Sequence, residues 1–162
     1  MHAVTKERPQ GWRTPFPIFM ALHREFNFTV DAAASPENAL LKRFWTEDDD
    51  ALKQDWAGER VFCNPPWGQI PKFLAKGLIH QHTAFMCFLL PASTDTAWYH
   101  DLAKHYWKEN FRGRVQYVPP PGVKKSQPPA GSMLCLLGPG WLPANLGVRT
   151  RCGKSGIVLA PS

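Results

Sequence analysis

The chain has 162 residues, a formal net charge of +6 and an apolar fraction of 44%, which suits one globular domain with a sizeable core. Seven Trp and ten Phe accompany 19 Lys and Arg, so rings for unstacked bases and cations for phosphate are both present, although a slightly basic soluble enzyme has the same profile. Cys63, Cys87, Cys135 and Cys152 lack CxxC spacing, which argues against a zinc or disulfide framework; with no signal-peptide pattern and no apolar run of membrane length, the expectation is a cytoplasmic protein.

Residues 1–11 are polar with Pro9 and Gly11 and are expected to form a loose tail. Thr14 is placed to cap a helix running to about residue 25, with Ile18, Phe19, Leu22 and Phe26 at helical spacing. Phe28-Thr29-Val30 is β-rich and ends in Asp31-Ala32-Ala33-Ala34-Ser35. Ser35-Pro36 then predicts a short helix over 36–43. An acidic cluster, Glu47 to Asp50, precedes Trp56. A strand over 60–63 runs into Asn64-Pro65-Pro66-Trp67-Gly68. A helix from Pro71 and a fully apolar strand over 84–90 follow. Thr94 and Asp95 are expected to cap a helix carrying Trp98, Leu102 and Tyr106. Strands are expected over 115–118 and 133–137, separated by a basic, proline-rich loop over 119–131. Beyond residue 140 the pattern weakens, and 157–159 is expected as a last edge strand or tail. No internal repeat is present. Strands alternating with helices predict an α/β layered sheet whose ligands bind at the carboxyl ends of strands. Asp31 to Ser35, Asn64 to Trp67 and Pro91 to Thr96 all fall there.

The Asn64 stretch carries the clearest chemistry. Two prolines forbid helix and ladder pairing, so the chain must leave the strand as a fixed turn. The turn presents an amide side chain, backbone carbonyls and a ring. An exocyclic amine on a flat base is a poor nucleophile because its lone pair is delocalised. The Asn64 side-chain oxygen and the Pro65 carbonyl are acceptors able to localise that pair, and Trp67 is a surface for an extruded base. The bland alternative is a proline turn and nothing more.

Phe62-Cys63-Asn64-Pro65-Pro66-Trp67 resembles the catalytic motif of S-adenosylmethionine-dependent amino-methyltransferases. The wider order resembles the phage-type DNA N6-adenine methyltransferase (Dam-like) family: Trp12 to Pro15, Asp31 to Ser35, Glu47 to Asp50, Trp56, Asn64 to Trp67, Leu90 to Trp98 and Gly113-Arg114. The likeness covers about residues 12–138. It implies a Rossmann-like class I methyltransferase fold, a mostly parallel sheet flanked by helices in a minimal single domain over 12–140, followed by an extension or edge strand over 141–162. It implies S-adenosylmethionine as cofactor, held by Thr14, Pro15, Asp31, Ala33 and one of Asp48, Asp49 and Asp50. It implies Asn64, Pro65, Pro66 and Trp67 as catalytic, and a bacterial or phage-infected cell as the setting. Two departures stand out. Alanines replace the glycine-rich turn usual after the first strand, and Trp67 stands where Tyr or Phe is commoner.

The remaining candidates have plainer alternatives beside them. Asp31 is a ligand group or a helix cap. Trp12, Trp45 and Trp98 are packing residues. His80, His82, His100 and His105 lack a third metal ligand and are surface residues. Gly153-Lys154-Ser155 lacks the glycine, strand and helix of a phosphate-binding loop. Arg112, Arg114, Lys124 and Lys125 contact DNA backbone or are solvated. The resulting reading is an adenine-N6 DNA methyltransferase. Its rivals are a methyltransferase of RNA base, cytosine N4 or protein glutamine, and a non-catalytic DNA-binding module on a decayed methyltransferase fold.

Overall fold

Phe85–Pro91 has every residue buried and forms the central strand, β3. A strand covered on both faces has no need of polar alternation, which is why it stands out as a continuous apolar run. In the computed structural model, which describes residues 11–140 and 149–160, β3 pairs in parallel with β2 (Arg60–Cys63), and β2 pairs in parallel with β1 (Val30–Asp31). On its other side β3 pairs antiparallel with β5 (Ser132–Leu137). β5 pairs antiparallel with β4 (Trp107–Arg112), and β6 (Thr150–Cys152) lies parallel to β4 at the edge. The six-stranded order is β1-β2-β3-β5-β4-β6. All strands but β5 run the same way, so the carboxyl ends of β1, β2, β3, β4 and β6 share one edge.

Helix α1 (Phe16–Phe26) covers one face and α2 (Ile70–Ile79) the other. The period of two divides the strands between them. Phe62, Phe85, Cys87 and Leu134 meet Phe19 and Leu22 of α1. Val61, Cys63, Met86, Phe88 and Cys135 meet Phe73 and Leu74 of α2, together with Trp56 and Tyr106. The result is a mixed α/β domain with helices on both sides of a mostly parallel sheet.

Five local expectations are corrected. Thr14 does not cap α1: Pro15 is the N-cap residue with extended backbone, no side chain caps it, and Thr14 is buried. Residues 36–43 form turns and bends. There Asn38 Oδ1 accepts the Ser35 amide at 2.7 Å and the Asp31 carboxylate accepts that of Leu40 at 3.5 Å. The first supports a single turn, closed by the Ala39 amide on the Ser35 carbonyl at 2.9 Å, and the second takes the amide that would continue it, so a turn too short to sustain itself ends there. Helix α3 is only Ala97–Asp101 and starts from Thr96, so Thr94 and Asp95 cap nothing. Tyr106 lies beyond it and donates its hydroxyl to the Leu74 carbonyl at 2.7 Å.

The two remaining corrections share one cause. Residues 115–118 make only a bridge between Val118 and Arg13, and the strand is β4 before them. The last edge strand is β6, and Val158 folds back to bridge Arg151. The inward residues of β4 include Glu109 and that of β6 is Arg151, both fully buried and ion-paired to each other. Apolar periodicity cannot register strands whose core positions are charged. The expected tail over 1–11 lies outside the described residues but for Gly11.

Gly77 on α2 faces Tyr106. A Cβ there would stand 2.3 Å from the Tyr106 hydroxyl oxygen and 3.1 Å from the Phe88 ring. Gly→Ala inside a helix ordinarily stabilises by about 0.5–1 kcal/mol. Here Gly77→Ala is expected to destabilise instead, by roughly 1–3 kcal/mol, measured by urea unfolding. Adding Tyr106→Phe should recover part of the loss, because the closest obstacle is then gone.

Candidate active site

The site sits where β1 and β2 end side by side. Asp31 pairs with Phe62 across the ladder, and the Ala32 amide donates to the Phe62 carbonyl at 2.9 Å. One residue past Cys63 the ladder stops, because Pro65 and Pro66 have no amide hydrogen to continue it. Asn64 is half-buried, and its Nδ2 donates to Thr14 Oγ1 at 3.3 Å. That bond spends a donor and leaves Asn64 Oδ1 as an acceptor. No described residue donates to the Pro65 carbonyl. Pro65 is buried and Pro66 is exposed. The Pro66 carbonyl accepts the Gln69 amide at 2.8 Å, closing a 3-10 turn over Trp67–Gln69 that leaves Trp67 36% exposed at the rim. Two acceptors and a ring thus stand on one rigid turn.

Asp31 is buried beside them. Burial pushes its carboxyl up from 3.8 to about 6, and the amides of Ala33 and Leu40 only partly offset this. Those bonds are long, 3.4 and 3.5 Å. A cavity of about 20 Å³, room for a water or an ammonium group, lies among Thr14, Asp31, Ala33 and Asn64, with Arg13 and Asn38 also lining it. Arg13 and Asn38 were not among the sequence candidates. Asn38 falls in a stretch whose pattern reads as a helix, and Arg13 is the variable position of the Trp12 to Pro15 motif. The alanines after Asp31 are compatible with the turn, since none of Ala32, Ala33 and Ala34 has positive φ.

The acidic cluster comes close through backbone pairing. Asp31 N donates to Arg43 O at 3.1 Å, Trp45 N to Asp31 O at 2.9 Å and Ala34 N to Trp45 O at 3.1 Å. Residues 43–45 therefore run alongside β1 and deliver the cluster to the same sheet edge. Its three aspartates differ in availability. Asp49 accepts the Thr46 amide and hydroxyl, both at 2.8 Å, and these bonds hold its carboxyl below the usual range. Asp50 pairs with Lys53 at 3.2 Å and accepts the Leu52 amide. Asp48 is exposed and has no partner among the described residues.

Other candidates sort simply. Trp45 stacks on the fully buried Trp56 with centroids 6.2 Å apart, and Trp12 and Trp98 pack against the two halves of the core. His80 stacks on Trp56, and among the described residues no three metal-ligating side chains converge. Burial drives the Cys63 thiol well above its usual range, so the cysteine beside Asn64 is no thiolate nucleophile. Arg112 ends β4 and Arg114 follows Gly113 on the turn after it, both exposed, on the shared edge but three strands from β2, roughly 14 Å at sheet spacing. Lys124 and Lys125 are exposed in the loop over 119–131. That loop begins where Val118 pairs with Arg13 and ends at Ser132 beside Pro91.

A family model for DNA N-6-adenine-methyltransferase (Dam) matches residues 2–147. The chain belongs to this family. Among curated proteins, the DNA N-6-adenine-methyltransferase of Escherichia phage T1 is 32% identical over 91 residues, 54% of this chain and 38% of the phage protein. That of Haemophilus phage HP1 is 29% identical over 94 residues, 54% of this chain and 53% of the phage protein. The match thus spans about half or less of each phage relative. Among the described residues of this Dam-family chain, no helix is long and apolar enough to cross a membrane.

The raised carboxyl of Asp31 sets a pH dependence. Folding favours the protonated form, so the stability tied to its proton is complete below pH 3.8 and is lost as pH rises through about 6. Asp31→Asn removes that loss. The stability of the variant relative to the parent should therefore rise from pH 4 to pH 7, by up to about 3 kcal/mol, in urea unfolding at each pH. A flat difference would mean that Asp31 titrates as it does in water.

Proposed function

We propose that this Dam-family protein transfers a methyl group to the N6 amine of adenine in DNA, using S-adenosylmethionine on a Rossmann-like class I methyltransferase fold. The observation that carries the reading is the pair of free acceptors, Asn64 Oδ1 and the Pro65 carbonyl, held on a proline turn beside a buried carboxylate. When bound, S-adenosylmethionine supplies a methyl group activated by its sulfonium leaving group. The residues present suit it: the donor carries positive charge, and Asp31 is a buried carboxylate without a cationic partner among the described residues. Thr14 and Ala33 line the cavity at that carboxylate, Pro15 follows Thr14 at the start of α1, and Asp48 is the aspartate of the acidic cluster left available for a hydroxyl or amine of the donor.

On the acceptor side, Asn64 and Pro65 take the two N–H bonds of the adenine amine and localise its lone pair. Trp67 stacks on the base and recovers part of the cost of extrusion. Fixing these groups on Pro65 and Pro66 lowers the entropy of reaching a reactive geometry. A strong base is not needed, because the nucleophile is a neutral amine and the leaving group is excellent. The loop over 119–131 is tied at both ends to the site, so Lys124 and Lys125 stand where DNA entering it would pass. Arg112 and Arg114 extend the cationic edge.

Incubation with labelled S-adenosylmethionine and DNA, RNA or protein, followed by identification of the modified nucleoside or residue, tests the reading. N6-methyladenine in DNA is expected; N4-methylcytosine or methylglutamine alone would overturn it. Asn64→Ala should lower transfer by on the order of 100-fold or more while calorimetry shows donor affinity largely unchanged. Loss of donor binding in that variant would make the motif structural.

A further inference from the structure

The Dam match ends at residue 147, yet the segment beyond it builds part of a second surface. After β6 the chain turns through Gly153, whose amide donates to the Arg112 carbonyl at 2.9 Å. A Cβ at Gly153 would stand 2.5 Å from the Gly113 carbonyl oxygen, so only glycine lets the two turns touch. Gly113 itself has φ +84, a conformation suited to glycine. Between the turns lies a cleft of about 560 Å³ lined by Arg112, Arg114, Cys152, Gly153, Lys154 and Leu159.

Its charges are uncommitted. Arg149 and Arg151, a few residues earlier, are taken up by Glu25 and Glu109. Arg112, Arg114 and Lys154 are exposed, and no described carboxylate pairs with any of them. Three cations that no described carboxylate neutralises, around a cleft with Leu159 and Cys152 in its wall, match a sugar-phosphate backbone in sign. The cleft opens at the end of β4 and β6, on the same sheet edge as Asn64.

We propose that this cleft seats the DNA backbone flanking the target base, with Lys154 supplying a phosphate contact from outside the region shared with the Dam family. The inference rests on the DNA reading above and adds to it where the duplex lies.

Cys152 is a built-in reporter. Cys63, Cys87 and Cys135 are buried, whereas Cys152 is partly accessible. Hydrogen bonds from the Ser155 hydroxyl and from the Lys154 and Ser155 amides bring its thiol down to about 7, so it alkylates selectively at neutral pH. The experiment follows iodoacetamide labelling of the full chain with and without a duplex, and with inorganic pyrophosphate as a control. With duplex at about ten times Kd, labelling of Cys152 should slow roughly tenfold, tracking the free fraction. Lys154→Ala should weaken duplex affinity and reduce the slope of log K against log salt by about 1, with donor affinity unchanged. If the duplex binds and is methylated while Cys152 labels at its free rate and Lys154→Ala keeps the parent slope, the cleft assignment fails and the DNA reading survives. If no duplex binds, both fail. Protection by pyrophosphate but not by duplex would replace DNA with a free phosphate ligand and also overturn the proposal.

Discussion

The ending of β2 constrains everything around it. The strand is held on both sides, by β1 and by β3, in parallel ladders. Its chain would continue into the same ladders if its backbone could donate. Pro65 and Pro66 remove two successive donors, and the chain must turn out at the sheet edge. Because the flanking ladders fix Cys63, the turn begins from a point with little freedom. Asn64 is then oriented by one hydrogen bond to Thr14, which α1 holds against the opposite face of the sheet. The amide is thus positioned by three separate elements: a strand, a proline turn and the start of a helix. A side chain held this way loses little entropy on meeting a ligand, which is what a site acting by positioning requires.

Asp31 shows the opposite economy. Its carboxylate is buried and only weakly hydrogen-bonded, so at neutral pH the fold carries a charge it would rather protonate. The same carboxylate organises the turn that follows by accepting two amides, and its backbone pairs with residues 43–45. Neutralising it therefore removes a desolvation cost and loosens a local frame at the same time. A group that lowers stability in the free protein and would gain from a cationic ligand is characteristic of functional sites. The proposed donor has the charge to offset that cost.

How much of this was legible depends on what each residue signals locally. Prolines and uninterrupted apolar runs are local signals, so β2, β3, α2 and the Asn64 turn stand out in the sequence. Asp31 is legible as the end of a strand, and it closes β1, whereas the acidic cluster lies in a turn that follows a single bridge at Phe44. The sequence does not distinguish Asp48, Asp49 and Asp50, because their availability depends on bonds to Thr46, Lys53 and Leu52 that appear only once the turn closes. Residues 36–43 differ from their sequence pattern for a similar reason: the Ser-Pro signal is sound and one turn forms, but Asp31 captures the Leu40 amide that would extend it. β4 and β6 were invisible for a tertiary reason. Glu109 and Arg151 occupy core positions that a hydrophobic pattern expects to be apolar, and they are tolerable there because they pair with each other and with Arg149 and Glu25.

That buried pair also explains why the C-terminal segment is placed at all. β6 has three residues and little apolar area to bury, so packing alone would hold it weakly. Arg151 instead bonds Glu109, Glu25 and the Gly156 carbonyl at 3.0 Å, and Arg149 adds a hydrogen bond to Glu25 and an ion pair to Glu109. Desolvating such charges is costly and buried ion pairs often add little net stability. What the network does supply is register, because shifting β6 by one residue would point Arg151 to the other face and take from Glu109 its closest cationic partner. Register in turn sets where Gly153 falls, and Gly153 must oppose Gly113 for the two turns to meet. The buried charges therefore determine the position of the exposed ones. Arg151 spends its charge inside the sheet so that Lys154, three residues on, stands unpaired beside Arg112 and Arg114.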